Sequence, residues 1–416
     1  MNERAYSFDS QLTSLQQSQP NRLASLAKKT LFKLLADSQQ GYLVCKEQGQ
    51  KIASFGNPEH ELKAEINIAD TRFYRRALTG GSCAVGESFI EGWWSSPDIT
   101  QLVQFFARNL STLDRWENRL GWLLKPVSLY RKQQRKNSRQ QAKRNILAHY
   151  DLGNELYQRM LDERMQYSSA LFNSPQEDLT QAQINKLQRL CEQLELTESD
   201  HLLEIGSGWG GLAIYAAQHY GCQVTTTTIS DAQYNYAKAK IDEAGLSDQI
   251  QLLNRDYREL QGHYDKIVSV EMIEAVGEKY LPTFFKQVNH LLKPGGKLMM
   301  QAITIADQRY KSYAAGEDFI QKHIFPGGFL PSITLLSQLF NKHSSLVIRD
   351  VFDIGQDYAR TLACWRDNFL AHQQDLQELG YDERFSRLWL FYLAYCEGGF
   401  LERRISTVQL LAEKSR

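Results

Sequence analysis

The run Leu202-Leu203-Glu204-Ile205-Gly206-Ser207-Gly208-Trp209-Gly210-Gly211 limits the fold of this 416-residue chain more than any other stretch. A short apolar strand empties into glycines and a helix-forming segment follows at once, so the loop backbone can approach a ligand closely. The same order then repeats. "CQVTTTTI" reads as a second strand ahead of a helix capped by Ser230, and "GLSDQIQLLNRDY" carries a third strand ending at Asp256. Ile267-Val268-Ser269-Val270 is a fourth strand; the next helix runs to Leu292 and stops at Lys293-Pro294-Gly295-Gly296, and Lys297 to Ile303 is a fifth. Ahead of the glycine loop, a helix over 177–195 sets Leu179, Leu187, Leu190, Cys191 and Leu194 on one face. The expected fold is α/β: a doubly wound, Rossmann-like domain with a mostly parallel sheet.

A different pattern occupies the first 124 residues. "GYLVCKEQGQKIASFG" reads as a hairpin around Gln48-Gly49-Gln50, Leu62 to Ile68 alternates as a half-buried strand does, and a helix beginning near Arg72 meets a glycine break at Gly80-Gly81. A later helix ends at Asn109, and Phe89, Trp93 and Trp94 read first as core aromatics. This predicts a smaller mixed α+β domain over 1–124, a linker over 125–146 and the α/β domain over 147–416. The linker is basic: "KPVSLYRKQQRKNSRQQAKR" holds eight Lys or Arg and no acid, a composition drawn toward anionic lipid surfaces. Over the whole chain 48 basic and 48 acidic residues balance, so no global field favours nucleic acid. Six cysteines without Cys-x-x-Cys spacing argue against disulfides or a structural metal and for a reducing cytoplasm. The polar N-terminus lacks a signal-peptide core, and "LWLFYLAY" is too short to span a bilayer. The C-terminal run Phe385, Leu388, Trp389, Tyr392 and Tyr395 reads as a core helix face.

Ligands of such sheets bind at the carboxyl ends of the strands. Gly206, Gly208 and Gly211 fit the dinucleotide pattern G-x-G-x-x-G, yet no acid follows about 20 residues on, where Thr225 to Thr228 stand, so the loop alone leaves the cofactor open. The fourth strand ends in two acids, Glu271 and Glu274. Glu271 reads as a helix-terminal acid favoured by the dipole, whereas Glu274 sits where a functional carboxylate is expected.

The segments "HYDLGNELYQRMLDERMQYSSALF", "LLEIGSGWGGLA", "TTISDAQ", "RDYREL", "VEMIEAVGEKY", "LKPGGKLMMQAITI" and "HIFPGGFLPS" occur in the order found in cyclopropane-fatty-acyl-phospholipid synthases and the related mycolic-acid methyltransferases, which the chain resembles over nearly its whole length. The part through "GESFIEGWW" resembles the lipid-binding N-terminal domain of the longer synthases. The resemblance implies a class I methyltransferase domain that moves a methyl group from S-adenosylmethionine to the double bond of an unsaturated acyl chain in a membrane phospholipid. It implies a cytoplasmic protein, peripheral on the inner face of the membrane, and a homodimer is common in the family. By motif, Tyr167, Ser168, Gly206, Gly208, Gly210, Thr228, Gln233, Asp256, Tyr257 and Arg258 would hold S-adenosylmethionine, with Glu204 orienting the loop.

In the resembled synthases the base is a bound bicarbonate, gripped by a cysteine, a glutamate, a histidine, a tyrosine and a backbone group. The glutamate corresponds to Glu274, the tyrosine to Tyr358 and the backbone group to Ile303. Here Ser169 stands for the cysteine and Gln301 for the histidine. Both can still donate to an anion, but neither relays a proton near neutral pH. The expected product is a cyclopropane, with a methyl-branched or methylene chain as the alternative; Glu274 is expected to anchor the base and Glu271 to be structural. Two further readings are a methyltransferase of small soluble molecules and a non-catalytic lipid- or S-adenosylmethionine-binding protein.

Overall fold

The computed structural model describes residues 22–109 and 152–416. The basic linker, and with it the border drawn between the domains, lies outside the described residues. Packing divides the chain into two compact units: the first joins the N-terminal residues to Glu317–Phe319 and Gln373–Glu402, and the second holds the remainder of the described chain. The aromatic helix Glu383–Leu401 therefore packs with the N-terminal elements, although the sequence placed it inside 147–416.

Specific contacts hold that helix in the first unit. A Cβ on Gly398 would lie 2.6 Å from Val103 Cγ1, so only glycine allows the approach. The buried guanidinium of Arg387 donates to the carbonyls of Phe89 (2.7 Å) and Trp94 (3.1 Å) and lies 4.4 Å over the Phe89 ring. Strands β1 (Tyr42–Glu47), β2 (Gln50–Gly56), β3 (Lys63–Ile68) and β4 (Trp94–Ser95) form its sheet in the order β2-β1-β3-β4. The hairpin turns at Gln48-Gly49, and the helix Arg72–Ile90 breaks at Gly81, where φ is +56°. Phe89 and Trp94 are core residues, their ring centroids 4.8 Å apart, while Trp93 is half-buried under the Arg72 guanidinium.

The second unit is built on seven strands: β5 (His201–Ile205), β6 (Gln223–Thr228), β7 (Ile250–Asn254), β8 (Tyr264–Val270), β9 (Leu292–Ile305), β10 (Leu346–Asp353) and β11 (Ile405–Lys414). Their order is β10-β11-β9-β8-β5-β6-β7, with β5 to β9 parallel and the last two antiparallel. Three details differ from the sequence reading. The third strand stops at Asn254, and Asp256 instead caps a short turn by accepting from Arg258 N. Leu292 to Gly296 is already strand, with its pairing slipped opposite Asp265. Strands β10 and β11 were not read at all.

Alternation along each strand fills two cores, one per sheet face. Leu203, Ile205, Ile267, Leu298, Met300, Leu410 and Ala412 face the helices Leu281–Leu291 and Ile333–His343. Leu202, Val268, Met299 and Leu411 point the other way, toward the helices Leu179–Leu194 and Gly211–Tyr220. By the same period-2 rule Glu204, Gln301 and Gln409 share this second face, a buried polar row above an apolar core. Among the described residues no helix is long and apolar enough to cross a membrane.

Candidate active site

Because β5 to β9 are parallel, their carboxyl ends share one edge, and the loops that leave it bring the candidate residues to one side. After β5 the chain turns through Gly206 (φ +99°), Gly208 (φ +49°) and Gly210 (φ +91°), left-handed positions that favour glycine. A Cβ on Gly208 would meet nothing within 4 Å, so the loop leaves space above it. At Gly211 a Cβ would lie 2.4 Å from Gln166 Nε2, which brings the 164–166 segment against the start of the helix. At the end of β6, Thr228 Oγ1 donates to Gln233 Oε1 at 2.9 Å. Beyond β7, Arg258 grips Asp256 with two guanidinium nitrogens, and the Tyr257 hydroxyl is buried without a hydrogen-bond partner among the described residues.

Tyr167 packs among Tyr157, Phe325 and Trp365, its centroid 5.1 Å from that of Trp365. Ser168 Oγ accepts from Lys186 Nζ at 2.8 Å, and the same ammonium donates to Gln166 Oε1 at 2.8 Å. Lys186 is fully buried. Burial pushes its pKa down to about 8 against the pull of Asp162, Glu271 and Glu204. Sequence reading missed this lysine, although its signal was there: a cation on the apolar face of the helix beside Leu187 and Leu190.

The two acids after β8 sit differently from the expectation. Glu271 adopts a left-handed φ of +47°, and its N–H donates to the Gln301 carbonyl at 2.8 Å, which ends the strand and turns the side chain inward. Its Oε1 accepts from Ser169 N (2.9 Å) and Gln301 Nε2 (2.8 Å), and its Oε2 accepts from Tyr358 Oη (2.8 Å). Three of the residues assigned by motif to an external anion thus converge on a carboxylate of the chain itself, Ser169 through its backbone N–H. Burial raises the Glu271 pKa, and these three donors oppose the rise. It is no helix-terminal surface acid.

Glu274 stands apart from that set. One of its oxygens accepts from Ile303 N, and Oε2 is buried with no hydrogen-bond partner among the described residues. Burial, then the charge of Glu271, pushes its pKa up to about 8. The Ser169 hydroxyl turns to the Ala170 carbonyl at 3.0 Å, so the residue offers the site its backbone N–H in place of its side chain. Glu204 accepts from the Thr226 hydroxyl on the neighbouring strand, and burial lifts its pKa to about 8 as well.

Residues 137–410 match the family model described as mycolic acid cyclopropane synthetase. The chain belongs to this family. It is 38% identical to the tuberculostearic acid methyltransferase UfaA1 of Mycobacterium tuberculosis, over 78% of this chain and 77% of that protein. It is 37% identical to the cyclopropane-fatty-acyl-phospholipid synthase of Escherichia coli, over 84% of this chain and 87% of the synthase. Among solved structures, the cyclopropane synthase MmaA2 of M. tuberculosis superposes with a TM-score of 0.62 at 27% identity, covering 65% of this chain and 98% of that one. The mycolic acid cyclopropane synthase CmaA1, complexed with SAH and CTAB, gives 0.61 at 26% identity, covering 65% and 98%.

A member of this family is an S-adenosylmethionine-dependent methyltransferase. The carboxyl edge suits that cofactor: open space over Gly208 allows close backbone approach, and the orphaned Tyr257 hydroxyl is a polar atom in want of a ligand.

The raised pKa of Glu204 has a measurable consequence. A carboxyl group whose pKa rises from 4.5 on unfolding to about 8 in the fold stabilises the protein below pH 4.5, and that contribution is lost as the pH rises through 8. Glu204→Gln is expected to flatten this loss. Thermal melts at pH 5 and pH 9 check it, since the variant should gain on the native chain only at the higher pH.

Proposed function

We propose that this protein transfers the methyl group of S-adenosylmethionine to the double bond of an unsaturated acyl chain in a membrane phospholipid, and that Glu271 takes the proton the methyl then loses. The observation that carries this reading is the convergence of Ser169 N–H, Gln301 and Tyr358 on Glu271. Bicarbonate does not fit this arrangement, because donors it would need are spent on the carboxylate. Tyr167, Ser168, Gly206, Gly208, Gly210, Thr228, Gln233 and the segment Asp256 to Arg258 would hold the cofactor, which when bound supplies an electrophilic sulfonium methyl. The N-terminal unit and the basic linker fit a role at the lipid surface, with 1–124 as the lipid-binding domain.

The bookkeeping of the step fixes what Glu271 must do. The S–CH3 bond breaks as the alkene π pair forms the new C–C bond, leaving a cation on the neighbouring carbon. Tyr167 and Tyr358, whose ring centroids lie 5.1 and 5.9 Å from that of Trp365, can with it face that cation with π density. Closing a ring requires a proton to leave the methyl while the cation stays where it first formed. Glu271, tethered by three donors, is a base fixed in position, and those donors hold back part of the rise that burial gives its proton affinity. A hydride shift from the methyl-bearing carbon then gives the more stable tertiary cation first, and proton loss from the methyl to Glu271 leaves an open-chain methylene group. The chain gains CH2 in either case.

S-adenosylmethionine with a CD3 group, incubated with vesicles of unsaturated phospholipid, tests both parts. Mass spectrometry is expected to show a CD2 unit in the acyl chain, and carbon NMR an olefinic carbon bearing it. A ring carbon would overturn the product, a retained CD3 the role of the base, and no label in lipid the whole proposal.

A further inference from the structure

We propose that Gln409 and Arg189 are positioning residues for this reaction: they lock the Gln301 amide with its nitrogen toward Glu271 and so set the carboxylate as a proton acceptor. The inference rests on the reading of Glu271 as the base. Gln409 of β11 pairs directly with Gln301 of β9, and both side chains are fully buried on the face covered by the helix Leu179–Leu194. Gln409 Nε2 donates to Gln301 Oε1 at 3.0 Å, while Gln301 Nε2 donates to Glu271 Oε1 at 2.8 Å and to the Ser169 carbonyl at 3.3 Å. At the outer end Arg189 Nε donates to Gln409 Oε1 at 2.9 Å. The guanidinium is itself held 4.0 Å over the Phe352 ring and 3.3 Å from Asp350.

The direction of this chain is what matters. The two ends of an amide are nearly the same shape, so packing alone does not decide which one faces Glu271. A guanidinium has donors only, so it can meet only the oxygen of Gln409. That turns the Gln409 nitrogen to the Gln301 oxygen, and the Gln301 nitrogen is left for the carboxylate. Two aligned amide dipoles thus carry the influence of a half-exposed cation to a buried acid. Were Gln301 to flip, its carbonyl oxygen would oppose the carboxylate and raise its proton affinity. The other groups that face Glu271, namely Tyr358, the Ser169 N–H, Lys186 and Glu274, lie outside the chain of amides and stay in place.

The test compares Gln409→Met, Arg189→Met and the double variant in the full-length protein, using labelled S-adenosylmethionine and unsaturated phospholipid vesicles. Turnover by Gln409→Met is expected to fall about tenfold, the equivalent of one hydrogen bond, with KM for S-adenosylmethionine unchanged. The acid limb of its pH–rate profile should move to higher pH. Arg189→Met should move the same limb the same way by less, and the double variant no further than Gln409→Met, because both act through one chain. Wild-type acid limbs in the single variants, or effects that multiply in the double, would overturn the proposal. If Gln409→Met does not fold, Arg189→Met at the rim decides alone, and a wild-type limb there is fatal to it. Glu271→Gln separates the two readings: full turnover in that variant sinks the base itself, whereas an inactive Glu271→Gln beside a silent Gln409→Met sinks only the relay.

Discussion

Glu271→Gln is expected to lower turnover by about 10³-fold, the size of effect seen when a positioned base is removed, and to leave S-adenosylmethionine binding intact. The substitution keeps the shape of the side chain but brings an NH2 group into a set of donors. The amide oxygen can still accept from Ser169 N–H and Gln301 Nε2, while the NH2 donates to Tyr358 Oη, which turns from donor to acceptor. What disappears is proton acceptance; the glycine loop and the Thr228–Gln233 pair are untouched. Equilibrium titration with S-adenosylmethionine and turnover on unsaturated phospholipid vesicles measure the two separately. Comparable losses in both would mean that Glu271 merely supports the fold.

Lys186→Met gives the second large effect, on stability and cofactor affinity together. The ammonium bridges Gln166 and Ser168 to its helix and is the cation shared by Asp162, Glu204 and Glu271. Methionine matches the length of the side chain and leaves Asp162 and Glu271 without their cation, a kind of change that costs about 3–5 kcal/mol when a buried charge loses its partner. Lys186→Arg does not restore it, because a planar guanidinium cannot replace a point charge in a closed pocket. Thermal unfolding and S-adenosylmethionine titration of both variants check this. An unchanged melting temperature in Lys186→Met would show that the buried acids are protonated and need no counter-charge.

Local patterns made much of the second unit legible. Alternation in Leu202 to Ile205 and in Ile267 to Val270, together with the glycines at 206, 208 and 210, placed the parallel strands and the cofactor edge, because these signals lie within a few neighbouring residues. The surroundings of Glu271 lay beyond such reading. Its partners Ser169, Gln301 and Tyr358 are 102, 30 and 87 positions away, and its inward turn depends on a positive φ that an acid rarely adopts. Motif matching pointed to Glu274 three residues later, and nothing local says which of two nearby acids fills a pocket made by distant strands. The placement of Glu383–Leu401 was hidden for a like reason: an apolar helix face looks the same whichever core covers it, and only contacts such as Val103 against Gly398 assign it. The outer strands β10 and β11 lacked a clean signal because β10 leaves Val347 and Val351 exposed.

On the proposed function the chain carries its own base in Glu271 and needs no bicarbonate. Turnover measured in buffer stripped of carbon dioxide, then with bicarbonate restored, tests it most directly. The predicted result is one rate under both conditions for the native protein. A rate that collapses without bicarbonate and returns on its addition would contradict the account, because an exchangeable anion would then be doing what is here assigned to Glu271.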